Sequence, residues 1–394
     1  MKVLTVFGTR PEAIKLAPVV KALEAAPDIE SRICVTGQHR EMLDQVLEAF
    51  TLKPDHDLAL MRPGQSLNAL AARAIAALDP VLEVERPDRV LVHGDTTTAM
   101  AAGIAAFHRA IAVGHVEAGL RTGDLSRPWP EEMNRRCIDA FADQLYAPTP
   151  AARDNLLAET LGPRQILVTG NTVIDALMMA RQRIEGAPPP EVLRPLAARL
   201  RPDAKMVLVT GHRRESFGRG FEDICVSLER LAGRDDVEIV YPVHLNPQVQ
   251  EPVNRRLGAL PRVHLIEPLD YLPFVWLMLR AHLLLTDSGG VQEEAPTLGK
   301  PVFVMRDVTE RPEAVAAGTA ALVGTDPERI TGAVARVLDD PAEHARIAQI
   351  ANPYGDGFAA ARIVAAIAGQ PAIPFEPTLH APQAESPGPL ALRA

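Results

Sequence analysis

Short apolar runs rich in β-branched residues alternate with longer alanine- and leucine-rich segments along most of the chain. This is the pattern of parallel strands covered by helices, because each crossover between parallel strands lays a helix on one face of the sheet. The runs predict strands over 2–7, 31–36, 88–93, 111–116, 144–147 and 166–169, with helical patterns between them. From Gly186 to Pro202 the prolines, among them Pro188, Pro189 and Pro190, make a poor setting for regular structure. The alternation restarts with predicted strands over 206–210, 237–242, 263–266, 282–286 and 301–305, which implies a second α/β unit. Residues 357–368 read as a last helix. Residues 370–394 hold many prolines and few large apolar groups, so a disordered tail is expected there.

The length of 394 residues agrees with two domains at about 100–200 residues each, and a cleft between them is the default place for a ligand. Lysine plus arginine number 41 against 50 aspartates and glutamates, and the net charge of -9 offers no general attraction to nucleic acid or an anionic membrane. Any phosphate must therefore be held by local groups. The three cysteines, Cys34, Cys137 and Cys225, are widely spaced, which fits a reducing cytosol and argues against a zinc site. The apolar run at 2–7 is too short for a signal peptide. The nearest candidate membrane span, 276–285, is broken by Arg280 and His282. A soluble, cytoplasmic protein is expected.

Candidate chemistry gathers at the predicted strand ends. Gly8-Thr9-Arg10-Pro11-Glu12-Ala13-Ile14-Lys15 passes from strand to helix, with Pro11 suited to a first helical position. Its free N–H groups and helix dipole favour an anion, and Arg10 and Lys15 add charge. It is neither a dinucleotide fingerprint nor a phosphate-binding P-loop, and no other segment supplies one. Asp95 follows the strand 88–93 at a carboxyl edge, where it reads equally as a ligand-facing acid or a helix N-cap. Glu117 ends another buried strand close to Arg121, and a charge so placed needs a partner or a task. Glu131 and Arg135 begin a helix four residues apart, the spacing of a simple surface ion pair. Three carboxylates from separate segments, Asp95, Glu117 and Glu131, nevertheless suit convergence on one site of proton transfer.

In the second unit His212 follows the first strand with Arg213 and Arg214 beside it, placed to bind phosphate or move protons. Asp287-Ser288-Gly289-Gly290-Val291-Gln292-Glu293-Glu294 is the most informative stretch. Its glycines allow close backbone approach, Ser288 and a helix N-terminus suit phosphate oxygens, and Glu294 suits ribose hydroxyls. Arg306 and Arg311 are further charge partners for a pyrophosphate.

Taken in order, Gly8-Thr9-Arg10-Pro11-Glu12, His93-Gly94-Asp95, His115-Val116-Glu117-Ala118-Gly119-Leu120-Arg121, Pro130-Glu131-Glu132-Met133-Asn134-Arg135, Gly211-His212-Arg213-Arg214-Glu215 and the Asp287–Glu294 stretch closely resemble the non-hydrolysing UDP-N-acetylglucosamine 2-epimerase family. The resemblance implies a GT-B-like α/β fold, two Rossmann-like domains with parallel sheets facing across a deep cleft. Residues 1–170 would form the first domain, joined by a returning helix at about 357–368, and 171–356 the UDP-binding domain. It also implies a homodimer. The substrate and product would be UDP-N-acetylglucosamine and UDP-N-acetylmannosamine, with UDP as leaving group and no cofactor or metal. By the same resemblance Ser288, Gly289 and Gly290 hold phosphate, Glu294 the ribose, and Phe274 lies near uracil. Arg10, His212 and Arg311 meet the diphosphate, with Arg213 beside them. Asp95, Glu117 and Glu131 match the acid/base carboxylates, and Lys15 and Arg135 other active-site charges. Gln38, His39 and His244 resemble parts of a second substrate site that activates some members, with Glu41 and Gly64 where regulated relatives carry glutamine and arginine.

The proton on C2 of such a sugar has no adjacent carbonyl to acidify it, and oxidation of a neighbouring hydroxyl would need a nicotinamide site that the sequence lacks. The resemblance implies elimination instead: a carboxylate takes the C2 proton as UDP leaves C1, and re-addition to a 2-acetamidoglucal inverts C2. A hydrolysing epimerase, a GT-B glycosyltransferase and a nucleotide-sugar-binding regulator without catalysis are the alternatives.

Overall fold

In the computed structural model, the structure describes residues 1–37, 40–62, 64–159 and 165–377. The first sheet contains β1 (Lys2–Phe7), β2 (Glu30–Val35), β3 (His56–Asp57), β4 (Arg89–His93), β5 (Ala112–Val116), β6 (Gln144–Ala147) and β7 (Gln165–Val168), in the order β3-β2-β1-β4-β5-β6-β7. The second contains β8 (Lys205–Thr210), β9 (Val237–Pro242), β10 (Val263–Ile266), β11 (Leu283–Thr286), β12 (Val302–Val304) and β13 (Ala320–Leu322), in the order β10-β9-β8-β11-β12-β13. Every pairing is parallel. This is the two-domain α/β architecture that the alternation predicts.

The continuous apolar runs are explained by burial on both faces. Alternate residues of β1 enter opposite cores, Val3 and Phe7 on one side and Leu4 and Val6 on the other. In β8, Val207 and Val209 likewise face away from Met206 and Leu208. The short edge strands β3 and β13 have no counterpart among the predicted strands. The first is only two residues, His56 and Asp57, and carries no apolar signal. The proline-rich stretch forms a single 3-10 turn, Glu191–Leu193, and one helical turn, Arg194–Ala197.

One helix, Thr172–Ile184, belongs to both cores: Ala176 packs into the first domain, while Leu177, Ala180 and Ile184 pack into the second. The last helix, Ala359–Ile367, buries Ile363, Ala366 and Ile367 in the first-domain core. Its free N-terminal amides are capped from outside, Ala359 and Ala360 donating to the Asp175 carboxylate at 3.2 and 2.8 Å. The expectation of a disordered tail from 370 needs correction within its first part. Phe375 is buried, its N–H donates to the Val168 carbonyl at 2.8 Å, and Arg362 lies over its ring, so one aromatic anchors the segment to the free edge of β7. Residues 378–394 lie outside the described residues. Among the described residues no helix is long and apolar enough to cross a membrane.

Candidate active site

Gly8, Asp95, Glu117, His212 and Ser288 all follow the carboxyl ends of strands, so both sheets deliver their loops to one cleft. Two buried carboxylates hold these turns in place. Glu12 accepts from the N–H groups of Gly8 and Thr9 at 3.0 and 2.8 Å and from the Thr96 hydroxyl at 2.7 Å, tying the first loop to the Asp95 loop. The close fit leaves no room for a side chain at Gly8, where a Cβ would stand 2.1 Å from the Thr36 hydroxyl. In the second domain Asp287 accepts from the N–H groups of His212 and Arg213 at 2.6 and 2.7 Å. These two clamps were not anticipated. The Thr9-x-x-Glu12 spacing of a capping box was the available local signal for the first.

A cavity of about 470 Å³ opens between the domains. Arg10 and Lys15 line one wall; His212, His244, Phe274, Ser288, Gly290, Glu294 and Arg311 line the other. Gly289 adjoins it, since a Cβ there would lie 3.9 Å from the Arg311 guanidinium. Arg213 does not line the cavity and is held through its backbone N–H, which donates to Asp287. His212 and His244 stack with ring centroids 5.2 Å apart, and burial first of all lowers the His212 pKa. Gln38 and His39 lie outside the described residues. Arg306 is engaged by Glu215 at 2.5 Å instead of facing the cavity.

Asp95, Glu117, Glu131 and Arg135 do not line this cavity; Glu117 pairs with Lys15 on its wall, while Asp95 pairs with Arg135. The Lys15 ammonium pairs with Glu117 and stands 3.7 Å from Glu293, whose other oxygen pairs with Arg311. Burial pulls Lys15 toward its neutral form, but Glu117 and Glu293 outweigh it and raise its pKa. Burial likewise opposes ionisation of Glu117, yet the Lys15 ammonium, with Arg311 behind it, holds that carboxyl well below the usual range. Glu117 adopts φ +67°, a left-handed conformation that costs a non-glycine residue about 1–3 kcal/mol and tends to mark functional sites. Beside it His93 is buried, and among the described residues neither ring nitrogen has a hydrogen-bond partner. Burial drives its pKa down to about 3, so the ring is neutral at physiological pH.

Arg135 donates to Asp95 at 2.5 Å, and Asn134 donates to the Asp95 carbonyl at 2.8 Å, seating the helix Glu131–Phe141 against the Asp95 loop. The simple Glu131–Arg135 helical pair is therefore not formed. Glu131 sits one turn before Arg135 on the same face, and its side chain has no hydrogen-bond or ion-pair partner among the described residues. Two further functional candidates escaped the sequence reading: Glu293, central to the ion network, and Tyr271, which donates to Glu294 at 2.8 Å.

Burial lifts the Glu294 carboxyl to about 7. Because this exceeds the ordinary 4.5, its stabilising contribution is complete below about pH 4.5 and is lost as pH rises through about 7. Glu294→Gln, which cannot ionise, is expected to flatten this loss by on the order of 1–3 kcal/mol between about pH 5 and 8. Urea denaturation of both proteins across that range checks it.

Fold and cleft together define a class: a GT-B-like protein whose two parallel-sheet domains face each other across a cavity with cationic walls and buried carboxylates. The family model for UDP-N-acetylglucosamine 2-epimerase matches residues 21–368, and the chain belongs to that family. It is 58% identical over 371 residues to the UDP-N-acetylglucosamine 2-epimerase of Escherichia coli (strain K12), covering 93% of this chain and 98% of that one. The crystal structure of the Neisseria meningitidis UDP-GlcNAc 2-epimerase bound to UDP-GlcNAc is 49% identical, with TM-score 0.85 over 94% of this chain and 100% of that one. The Methanocaldococcus jannaschii enzyme in complex with UDP-GlcNAc and UDP is 34% identical, with TM-score 0.75 over 94% and 100%.

Proposed function

We propose that this protein interconverts UDP-N-acetylglucosamine and UDP-N-acetylmannosamine without net hydrolysis. The observation that carries this reading is Lys15, which lines a cavity suited to a nucleoside diphosphate and pairs with the Glu117 carboxylate behind it. The solved relatives that bind UDP-GlcNAc lend the ligand its identity.

In this reading uracil lies toward Phe274, ribose hydroxyls donate to Glu294, and the diphosphate meets Ser288, Gly289 and Gly290 with Arg10, His212 and Arg311 as counter-charges. A carboxylate removes the C2 proton; the C2 electron pair forms the C1–C2 double bond; the C1–O bond breaks and its pair leaves on UDP. A second carboxylate then protonates C2 from the opposite face as the UDP oxygen re-adds to C1. Asp95, Glu117 and Glu131 share these proton transfers. The diphosphate competes with Glu117 for Lys15 and Arg311, so substrate entry releases the carboxylate from its strongest partners and makes it more basic. The cations meanwhile stabilise the charge developing on UDP. No nicotinamide or metal takes part. The protein acts as a cytoplasmic homodimer, and its product feeds polysaccharide biosynthesis.

Incubation with UDP-N-acetylglucosamine in deuterated buffer, followed by proton NMR, tests the reading. It requires UDP-N-acetylmannosamine carrying deuterium at C2 with little free sugar. Stoichiometric UDP and free N-acetylmannosamine would instead identify a hydrolysing enzyme, and absence of both exchange and inversion would remove the epimerase assignment.

A further inference from the structure

Asn171 precedes the helix Thr172–Ile184 and is 4% exposed. Every hydrogen-bonding group it carries is engaged. Its backbone N–H donates to the Tyr354 carbonyl at 2.7 Å, and its carbonyl accepts from Ile174 at 3.1 Å. Its Oδ1 accepts from the Val173 N–H at 3.0 Å, while Nδ2 donates to Glu117 at 2.9 Å and to Glu293 at 3.4 Å. The Val173 N–H fixes the orientation of the amide: only the oxygen can accept it, so the NH₂ must face the carboxylates.

Capping alone does not require asparagine, because aspartate or serine would accept from Val173 equally well. What asparagine adds is a neutral donor between two acids of different domains. The position matters too, since the chain passes between the domains here and returns beside it. Gly170 has φ +83°, and a Cβ on it would stand 3.3 Å from the Gly355 Cα. Asn352, on the returning segment, donates to the Glu293 carbonyl at 2.7 Å and accepts from the Tyr354 N–H at 3.0 Å.

We infer that Asn171 is a positioning residue, whose amide fixes Glu117 of the first domain against Glu293 of the second at the double chain crossing, so that alignment of Glu117 for proton transfer depends on how the domains sit. The inference rests on the epimerase reading for its catalytic consequence, though not for the geometry. The charged and titratable groups facing Glu117 are Lys15 from the helix Arg10–Ala25, His93 from β4, and Glu293 and Arg311 from the second domain.

Asn171→Asp retains the cap and removes every side-chain donor; Asn171→Ser retains the cap and replaces the amide NH₂ by a shorter, single O–H that cannot serve both Glu117 and Glu293. Both should keep a thermal midpoint close to wild type and lose kcat roughly 10²-fold, the cost of misplacing a reacting group, with KM little changed. Asn171→Asp alone adds a negative charge, so the Glu117 carboxyl should titrate about one unit or more higher, followed by ¹³C NMR of glutamate-labelled protein with the signal assigned through Glu117→Gln. An unmoved Glu117 titration in Asn171→Asp, or kcat losses that merely track falling thermal midpoints in both variants, would overturn the inference. If the wild-type protein shows no exchange at C2, the epimerase reading fails by itself, and the NMR titration still decides whether Asn171 governs Glu117.

Discussion

Glu117→Gln is expected to abolish C2 exchange and epimerisation together, lowering kcat by about 10²–10⁴-fold, while UDP still binds. The glutamine matches the glutamate in shape and can still accept from Lys15, but it cannot take a proton from carbon. The structural cost is moderated because Lys15 keeps Glu293 at 3.7 Å, so the stability loss should stay below the ~3–5 kcal/mol of a buried cation stripped of its last partner. Its pH dependence has a definite sign. The Glu117 carboxyl is held below its ordinary 4.5, so its stabilisation is present above about that pH and is lost as pH falls through the folded value. The variant should therefore lose less stability on acidification than wild type. Deuterium incorporation at C2 and calorimetric titration with UDP separate the chemical step from binding. Retained exchange would transfer the proton abstraction to Asp95 or Glu131.

Arg311→Ala should weaken UDP binding by about 2–5 kcal/mol, or roughly thirty-fold to several thousand-fold, the effect of truncating one partner in a buried, hydrogen-bonded charge pair. Arg311 pairs with Glu293 and lies against Gly289, so its removal takes away a diphosphate counter-charge and leaves Glu293 to Lys15 and Asn171 alone. Arg311→Lys restores the charge but not the planar fork, and intermediate affinity is expected. Uridine lacks the diphosphate and should bind Arg311→Ala almost as well as wild type. An equal loss for uridine and UDP in calorimetry would show that Arg311 acts by holding the cleft together.

The strand pattern was legible because burial on both faces of a parallel sheet needs nearly continuous apolar residues, a signal that survives without knowledge of neighbours. Edge strands escaped that logic: His56 and Asp57 pair in β3 through backbone alone. Phe375 escaped it too, because one aromatic in a proline-rich segment has no periodicity to betray where it packs.

The functional groups at strand ends were also readable, since Gly8, Asp95, Glu117, His212 and Ser288 each follow a recognisable buried run. Their partners were not. Arg135 lies four residues from Glu131, yet it pairs with Asp95, forty residues away; Lys15 pairs with Glu117 across 102 residues. Local spacing offers a helix pair worth only tenths of a kcal/mol, about 0.2–0.5, whereas a buried charge must find a counter-charge or remain at great cost. The sequence alone carries the position of the strands buried on both faces and the chemical groups at their ends, but not the edge strands β3 and β13. Only the tertiary structure decided which charge neutralises which, because that choice depends on burial and on distances set when both sheets fold and meet.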